Sequence, residues 1–181
     1  MASHIASLIM EAMNAECCQN FAGPKHTLVD FHRMMTRLVE MEDSQYSYRN
    51  VLAAYTSGGI LAGICVAYDG GKLHQLRRRF YEAALEAFGI DYTGMTDETE
   101  DGEFYIDSLA VSSNFRGKGI ASQLLQATIE RGAELGIPTV GLLVDKGNPK
   151  AEALYQRLGF VYVNDSTWGG HPMRHLQYKQ N

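Results

Sequence analysis

The segment FRGKGIASQLL at residues 115–125 constrains the fold most, because it connects a strand-like run to a helix through a glycine-rich turn. Residues 102–111 have the composition of a strand, and residues 118–135 carry apolar side chains at helical spacing. A buried strand follows at residues 138–144, and Asn148 then opens a short helix as a capping side chain followed by proline. This alternation of strands and helices predicts an α/β fold for the second half of the chain.

The first half of the chain predicts two helices, a hairpin and a third helix. Residues 5–13 have an amphipathic helical pattern, and a capping pattern at Thr27 opens the second helix. Two β-rich runs at residues 48–56 and 59–69, with glycines between them, predict the hairpin. The third helix is predicted over residues 73–88, so the element order is α-α-β-β-α.

Composition and charge narrow the class of protein. The chain has 181 residues, of which 45% are hydrophobic, so we expect a single domain over residues 1–181. A formal net charge of -5 argues against a general nucleic-acid binder. The longest apolar run, at residues 60–68, is too short to span a bilayer, which predicts no membrane partner. Three cysteines without metal-ligand spacing favour the reducing cytoplasm and predict no bound metal.

The strand at residues 102–111 changes parity along its length. Phe104 and Ile106 occupy one parity, whereas Leu109 and Val111 occupy the other. Because side chains alternate strictly along a strand, a β-bulge around Asp107 would produce this slip. A strand that is buried on both faces would also carry such a pattern. Periodicity alone leaves these two interpretations open.

The glycine-rich turn has several features of a phosphate-binding site. A helix N-terminus exposes N–H groups that favour an anion, and Gly117 and Gly119 let the backbone curl so that such groups converge. Arg116 and Lys118 would add positive charge. However, glycine-rich turns before helices are common, Walker A spacing is absent, and GKGIAS lacks the third glycine of G-x-G-x-x-G. The turn by itself is therefore compatible with a purely structural turn or with a phosphate-binding loop.

The order of motifs around the turn resembles the GNAT superfamily of N-acetyltransferases over roughly residues 102–164. The R/Q-x-x-G-x-G/A signature of that family is met by Arg116, Gly119 and Ala121. Its later N…A…LY…GF pattern is met by Asn148, Ala151 or Ala153, Leu154, Tyr155, Gly159 and Phe160. The resemblance implies an α/β fold with a mixed, mostly antiparallel sheet that contains a splayed parallel strand pair and is flanked by helices.

The resemblance implies acetyl-CoA as co-substrate. In the family it binds between two splayed parallel strands, here residues 103–111 and 139–144, and backbone N–H groups of the signature turn hold its pyrophosphate. The pantetheine arm pairs with the bulged strand, which favours the bulge interpretation. The residues so implied are Leu109, Ala110, Val111, Arg116, Gly117, Lys118, Gly119, Ile120, Ala121, Asn148 and Tyr155.

The family's chemistry is direct attack of an amine on a thioester. Tyr155 occupies the family's tyrosine position, where the hydroxyl acts as general acid towards the leaving sulfur, although a packed core aromatic is the alternative. Asp107 and Glu103 are the candidate bases on the central strand, and Asp107 beside the predicted bulge is preferred. A hydrogen-bonded edge residue is an equally good interpretation of Asp107, and some relatives need no dedicated base.

The sequence leaves the identity of the acceptor substrate open. Residues 72–101 predict a helix-plus-loop insertion that forms a lid or wall of the acceptor pocket, and its acidic residues suit either a cationic amine or a solvated loop. The basic run at residues 77–79 is expected to lie on a solvated helix face. We predict acetylation of a small primary amine, with a protein N-terminus or lysine, or a non-catalytic CoA-binding module, as alternatives. A homodimer is compatible with the family.

Overall fold

The computed structural model describes residues 1–180 and contains one six-stranded sheet with helices on both faces. The helices are α1 Ala2–Met13, α2 Ala15–Ala22, α3 Leu28–Glu40, α4 Leu73–Phe88, α5 Ile120–Glu134 and α6 Pro149–Arg157. The strands are β1 Val51–Tyr55, β2 Leu61–Asp69, β3 Phe104–Val111, β4 Thr139–Asp145, β5 Val161–Trp168 and β6 His171–Lys179. Within the described residues, no helix is long and apolar enough to cross a membrane.

The strand order β1-β2-β3-β4-β6-β5 confirms the fold class that the sequence predicted. Neighbouring strands run antiparallel, except that β3 and β4 are parallel. The hairpin between β1 and β2 and the long α4 before β3 also lie where the sequence pattern indicated. The parallel pair at the centre of the sheet is the feature that positions the site.

Local signals explain where several helices begin and end. The Thr27 hydroxyl accepts a hydrogen bond from the Asp30 N–H, and the Asp30 carboxylate accepts one from the Thr27 N–H at 2.9 Å. This reciprocal capping box opens α3 as predicted. Gly89 ends α4 in the left-handed region with φ +69, which favours glycine because it has no Cβ.

The first helix of the sequence-based prediction is in fact two helices. Asn14 has φ 70 and ψ 159, a conformation that only glycine adopts readily, and it separates α1 from α2. Its side-chain oxygen accepts a hydrogen bond from the Cys17 N–H at 2.9 Å and so caps α2. Cys17 and Cys18 therefore belong to a second, separately oriented helix and not to the end of the first.

The predicted bulge in β3 is confirmed. Val66 on β2 pairs with Ser108, but the next residue, Ala67, pairs with Ile106, so Asp107 is the extra residue. As a result Leu109 packs in the same apolar cluster as Ile106, although the two differ in parity. The alternative of an unbulged strand buried on both faces is excluded by this register.

Next to the bulge, β3 and β4 separate. Their pairing is limited to residues 104–106 against residues 140–142. Beyond that point the last residues of each strand have no partner in the other, which opens the sheet at its centre. The splayed pair that the family resemblance implied is therefore present.

Two apolar clusters cover the two faces of the sheet. One joins α1, α2, α3 and α4 to Ile64 and Val66 of β2, and the other joins α5 and α6 to Cys65 and Ala67. Alternate side chains of β2 thus enter opposite clusters, so that burial on both faces fixes the strand between two layers of helices. The splayed ends of β3 and β4 open within this rigid frame.

Candidate active site

Two cavities meet where β3 and β4 separate. The first, which we call the turn groove, has a volume of about 490 Å³ and lies between the glycine-rich turn before α5 and the helix α6. The second, the central cavity, has a volume of about 260 Å³ and lies over the opposite side of the splay. They share the lining residues Leu109, Asn148, Ala151 and Tyr155. A molecule in one cavity therefore contacts the same four side chains as a molecule in the other.

The turn groove is shaped to accept an anion. Gly117 and Gly119 have φ +74 and +79, and a Cβ built on either would meet no atom within 4 Å, so space remains beside the backbone. Gly119 precedes α5, and no side chain of the described residues caps that helix. The N–H groups of its first turn are consequently available to a ligand.

Of the two predicted cations of the turn, Arg116 lines the turn groove and Lys118 does not. The Arg116 guanidinium donates to the Val111 carbonyl at 2.9 Å and pairs with Glu11 at 3.3 Å. The Lys118 ammonium lies over the ring of Phe115, 5.4 Å from its centroid, and that ring does line the groove. Arg116 thus holds the turn against β3, and Lys118 packs on a residue of the groove wall.

Two cations of α6 line the turn groove and were missed by the sequence analysis. Lys150 and Arg157 are seven residues apart, with Leu154 between them, so all three share one face of the helix. That spacing was visible in the sequence and could have indicated a basic helix face. No Asp or Glu occurs among the described residues that line this groove.

The backbone of β3 also presents free edges at the splay. The Ser112 N–H donates to the Ala62 carbonyl at 2.9 Å, on the β2 side. Because backbone groups alternate in direction along a strand, those of Leu109 and Val111 point to the opposite side, where β4 has moved away. Ala110 is buried and directs its groups towards β2. With the Val111 carbonyl taken by Arg116, the available groups are the Leu109 N–H and C=O and the Val111 N–H.

The central cavity has the opposite charge character. It is lined by the carboxylates of Glu98, Asp107 and Asp145, and no Lys or Arg occurs among the described residues that line it. Its remaining walls come from β3, β4, α6, the junction of α1 with α2, and the adjoining ends of β5 and β6. The two cavities thus form a cationic and an anionic compartment with a common boundary.

Asp107 is the carboxylate nearest to that boundary along β3. Its oxygens accept hydrogen bonds from Ser108 at 2.8 Å, Tyr68 at 3.0 Å and Gln45 at 3.2 Å. Burial nevertheless raises the pKa of Asp107, because the desolvation cost of the charged form exceeds what these donors return. The bulge thus holds a carboxyl group with increased proton affinity in the cavity wall.

Glu103, the other candidate base, does not line the central cavity. It is buried, and its Oε2 lies 2.6 Å from Nε2 of His175 and accepts a hydrogen bond from Gln177 at 2.8 Å. The carboxyl group packs over Gly141 of β4, where any Cβ would overlap with it. Glu103 thus pairs with side chains of the sheet, and Asp107 is the candidate base that lines the central cavity.

Tyr155 lies on α6 at the boundary of the two cavities. Its ring packs against Phe160 with the centroids 5.9 Å apart. Burial, with a smaller contribution from Cys65, raises the pKa of Tyr155, so the phenol keeps its proton. Asn148 at the same boundary caps α6, since its side-chain oxygen accepts from the Ala151 N–H at 3.2 Å.

The basic run on α4 is not a solvated face at Arg77. This side chain is 1% exposed, donates from Nη1 to the Thr96 carbonyl at 3.1 Å, and approaches Oε1 of Glu98 to 3.2 Å through Nη2. Arg78 and Arg79 do lie at the surface, where they pair with acidic residues. The expectation was wrong for Arg77 because its partners lie in a loop about twenty residues further along the chain, beyond the reach of a local pattern.

The splayed parallel strands and the glycine-rich turn before α5 agree with the fold that the motifs implied, and residues 30–160 match the Acetyltransferase (GNAT) family. The chain belongs to this family, as the sequence motifs predicted. It is similar over 98% of its length to the crystal structure of an acetyltransferase, with a TM-score of 0.81, 26% identity and 94% of that chain covered. An N-acetyltransferase from Staphylococcus aureus Mu50 is similar in fold, with a TM-score of 0.78, 21% identity, and 98% and 94% of the two chains covered.

Curated relatives match over shorter stretches. Mycothiol acetyltransferase of Propionibacterium freudenreichii subsp. shermanii is 36% identical over 78 residues, which is 42% of this chain and 24% of that protein. The chain spans between 24% and 40% of the length of the first three curated relatives that it matches. These matches support membership of the family. The substrate of each relative is a property of that relative and is not carried over to this chain.

Proposed function

We propose that the protein is an acetyl-CoA-dependent N-acetyltransferase that acts on a small primary amine. The observation that carries this proposal is the meeting of a cationic groove and an anionic cavity at Tyr155. An anionic donor suits the first compartment and a cationic acceptor suits the second. The shared boundary is then the place where the acetyl group passes from one to the other.

The turn groove suits acetyl-CoA, which supplies the acetyl thioester. The N–H groups of the first turn of α5 would hold its pyrophosphate, with Lys150 and Arg157 adding positive charge. The free backbone groups of Leu109 and Val111 would hold its amide-bearing arm as an added strand. Each contact uses a group that the described residues leave available.

Asp107 and Tyr155 suit the proton movements that the reaction needs. Asp107, with its increased proton affinity, would take the first proton from the acceptor ammonium. The neutral nitrogen would then form the bond to the acetyl carbon, the carbon–sulfur bond would break, and the protonated Tyr155 hydroxyl would give its proton to the departing sulfur. The second proton of the nitrogen would pass to the Tyr155 oxygen as the amide forms, and Asp107 would release its proton to solvent. The products are then the amide, the free thiol and one proton.

The size and closure of the central cavity favour a small acceptor. Its volume is about 260 Å³, and Trp168 at the end of β5 packs against Phe21 of α2, with ring centroids 5.9 Å apart. This contact fixes Trp168, which lines the cavity, against α2 and would hinder the passage of a peptide chain. It is the reason to prefer a small amine over a protein N-terminus or lysine.

Release of free thiol from acetyl-CoA, measured across small amines and matched peptides, tests the proposal. We expect turnover with small amines and little with peptides. Turnover with peptides alone would move the acceptor to a protein. Tight CoA binding without turnover on any acceptor would contradict catalysis and favour a sensor module.

A further inference from the structure

Glu98 is the acidic residue that the loop before β3 brings into the central cavity. Residues 89–103 contain six acidic side chains. Glu98 lines the central cavity and is 8% exposed. The other five do not line it: Asp91, Asp97, Glu100, Asp101 and Glu103. The loop therefore contributes one buried carboxyl group to the cavity and not a diffuse acidic surface.

Arg77 fixes the position of that charge. Its guanidinium is buried, bonded to the Thr96 carbonyl at 3.1 Å and within 3.4 Å of the Tyr81 hydroxyl. From there it approaches Oε1 of Glu98 to 3.2 Å, and the Trp168 indole lies near the same carboxyl group. A carboxyl group held beside a buried cation is pre-organised for binding, since little side-chain entropy remains to be lost.

Glu98 lines the central cavity and not its boundary with the turn groove, where Tyr155 lies. Burial, and next the charge of Asp107, raise the pKa of Glu98 to about 7, while the charge of Arg77 opposes that rise. A cation bound beside Glu98 would favour its charged form. Glu98 and the proposed base Asp107 are thus two separate carboxyl groups of one cavity.

The carboxyl groups that line the central cavity favour a second cationic group on the acceptor. Apart from Asp107, the cavity is lined by the carboxyl groups of Glu98, which has the buried Arg77 at 3.2 Å, and of Asp145, which has His171 at 3.6 Å. The aromatic rings that line the cavity, those of Tyr46, Tyr105 and Trp168 among them, favour a nearby cation through their faces. The alkyl end of a monoamine would lie against these carboxyl groups without pairing, whereas a second ammonium would pair with them.

We propose that the acceptor carries a second cationic group, as in a short aliphatic diamine, and that Glu98 binds that group while the first nitrogen is acetylated. This inference rests on the proposed acetyltransferase function and names the class of amine that the same cavity takes. Glu98 is then a specificity-determining residue that contacts the substrate at its unreactive end.

Acetylation of 1,4-diaminobutane and butylamine tests the proposal, because the two amines share a carbon chain and differ in one terminal ammonium. We expect the wild-type kcat/KM to be at least tenfold higher for the diamine. Glu98→Gln should lower the diamine-to-butylamine ratio at least tenfold, mainly through the KM of the diamine. Glu100→Gln, an exposed carboxylate of the same loop, is the matched control and should leave the ratio unchanged.

A double variant controls for misfolding of the Glu98→Gln single variant. Glu98→Gln leaves the buried Arg77 with only the more distant Asp97, at 3.6 Å, as a countercharge, so Arg77→Met with Glu98→Gln removes both members of the closer pair together. If it folds, it should also lose the preference for the diamine. Equal use of both amines by the wild type, or an equal loss on both in the variants, would overturn the proposal.

Binding separates this inference from the proposed function. If no amine is acetylated, the acetyltransferase proposal fails, but titration calorimetry with 1,4-diaminobutane still tests the cation site. Weaker binding to the Glu98→Gln variant than to the wild type would support the site. Equal binding to both proteins would overturn it.

Discussion

Nε2 of His175 lies 2.6 Å from Oε2 of Glu103, and the two side chains are 4% and 2% exposed. Glu100 approaches Nδ1 of the same ring to 3.8 Å. The hydrogen bond with Glu103 raises the pKa of His175, because a carboxylate partner favours the imidazolium form. The contact joins the residue before β3 to β6 across the intervening strand β4.

This pair predicts stability that depends on pH. Because the pKa of His175 is raised on folding, its contribution is fully present below the ordinary histidine value of about 6.5 and is lost as pH rises through the folded value. Urea unfolding of wild type and His175→Gln should give a difference in unfolding free energy that shrinks as pH rises. His171→Gln, at an exposed histidine of the same strand, is the control. A difference that stays constant with pH would contradict the prediction.

Glycine at position 119 should be essential for donor binding. Gly119→Glu places negative charge at the N-terminus of α5, where the phosphate is proposed to lie, and should remove measurable acetyl-CoA binding in calorimetry. Gly119→Ala is the matched control, because it imposes the same strain at φ +79 without the charge, and the space around a Cβ there is open. Equal affinity of the two variants would contradict an anion site at the turn.

Removing the Tyr155 hydroxyl should slow turnover more than it weakens binding. Tyr155→Phe keeps the ring against Phe160, so we expect kcat to fall by about 100-fold with a small change in the KM for acetyl-CoA. Tyr178 packs on the same Phe160, with centroids 5.7 Å apart, and lines neither cavity. Tyr178→Phe should therefore retain activity. Full activity of Tyr155→Phe would remove the proposed acid role.

The α6 cations should contribute to donor affinity. Lys150→Ala and Arg157→Ala each remove a positive charge from the turn groove and should raise the Kd for acetyl-CoA by about 5- to 10-fold. Their effect should diminish at high salt, because surface charges are screened. Lys146 pairs with Asp165 at 2.7 Å and does not line the groove, so Lys146→Ala is the control. An unchanged Kd in both groove variants would contradict the assignment.

Sequence patterns predicted the parts of the fold that short segments determine. The capping box at Thr27 and the parity slip at Asp107 each involve residues close together in the chain. The first was predicted from its residues alone, whereas the second left two interpretations until the family resemblance favoured the bulge that the structure has. The break at Asn14 was missed because no glycine or proline marks it. Burial of Arg77 was missed for another reason, since its partners come from a loop that the sequence does not place.

The candidate site was predictable as far as the family motifs extend. They indicated the turn, which lines the turn groove, and Asn148 and Tyr155, which lie at the boundary of the two cavities. They carried no information about Glu98, whose place in the central cavity depends on a tertiary contact. Donor-side residues follow a recurrent local geometry, whereas acceptor-side residues converge from loops and helix ends that are distant in sequence.

The separation of β3 and β4 leaves the sheet incomplete at its centre. Because the β4 edge of Leu109 and Val111 lacks a strand partner, an extended molecule bound there would add hydrogen bonds that the fold itself does not make. Occupancy should then tie the two halves of the sheet together and raise the resistance of the whole domain to unfolding. Amide hydrogen exchange would register this as slower exchange on both sides of the opening, so the ligand becomes, in effect, a removable strand of the protein.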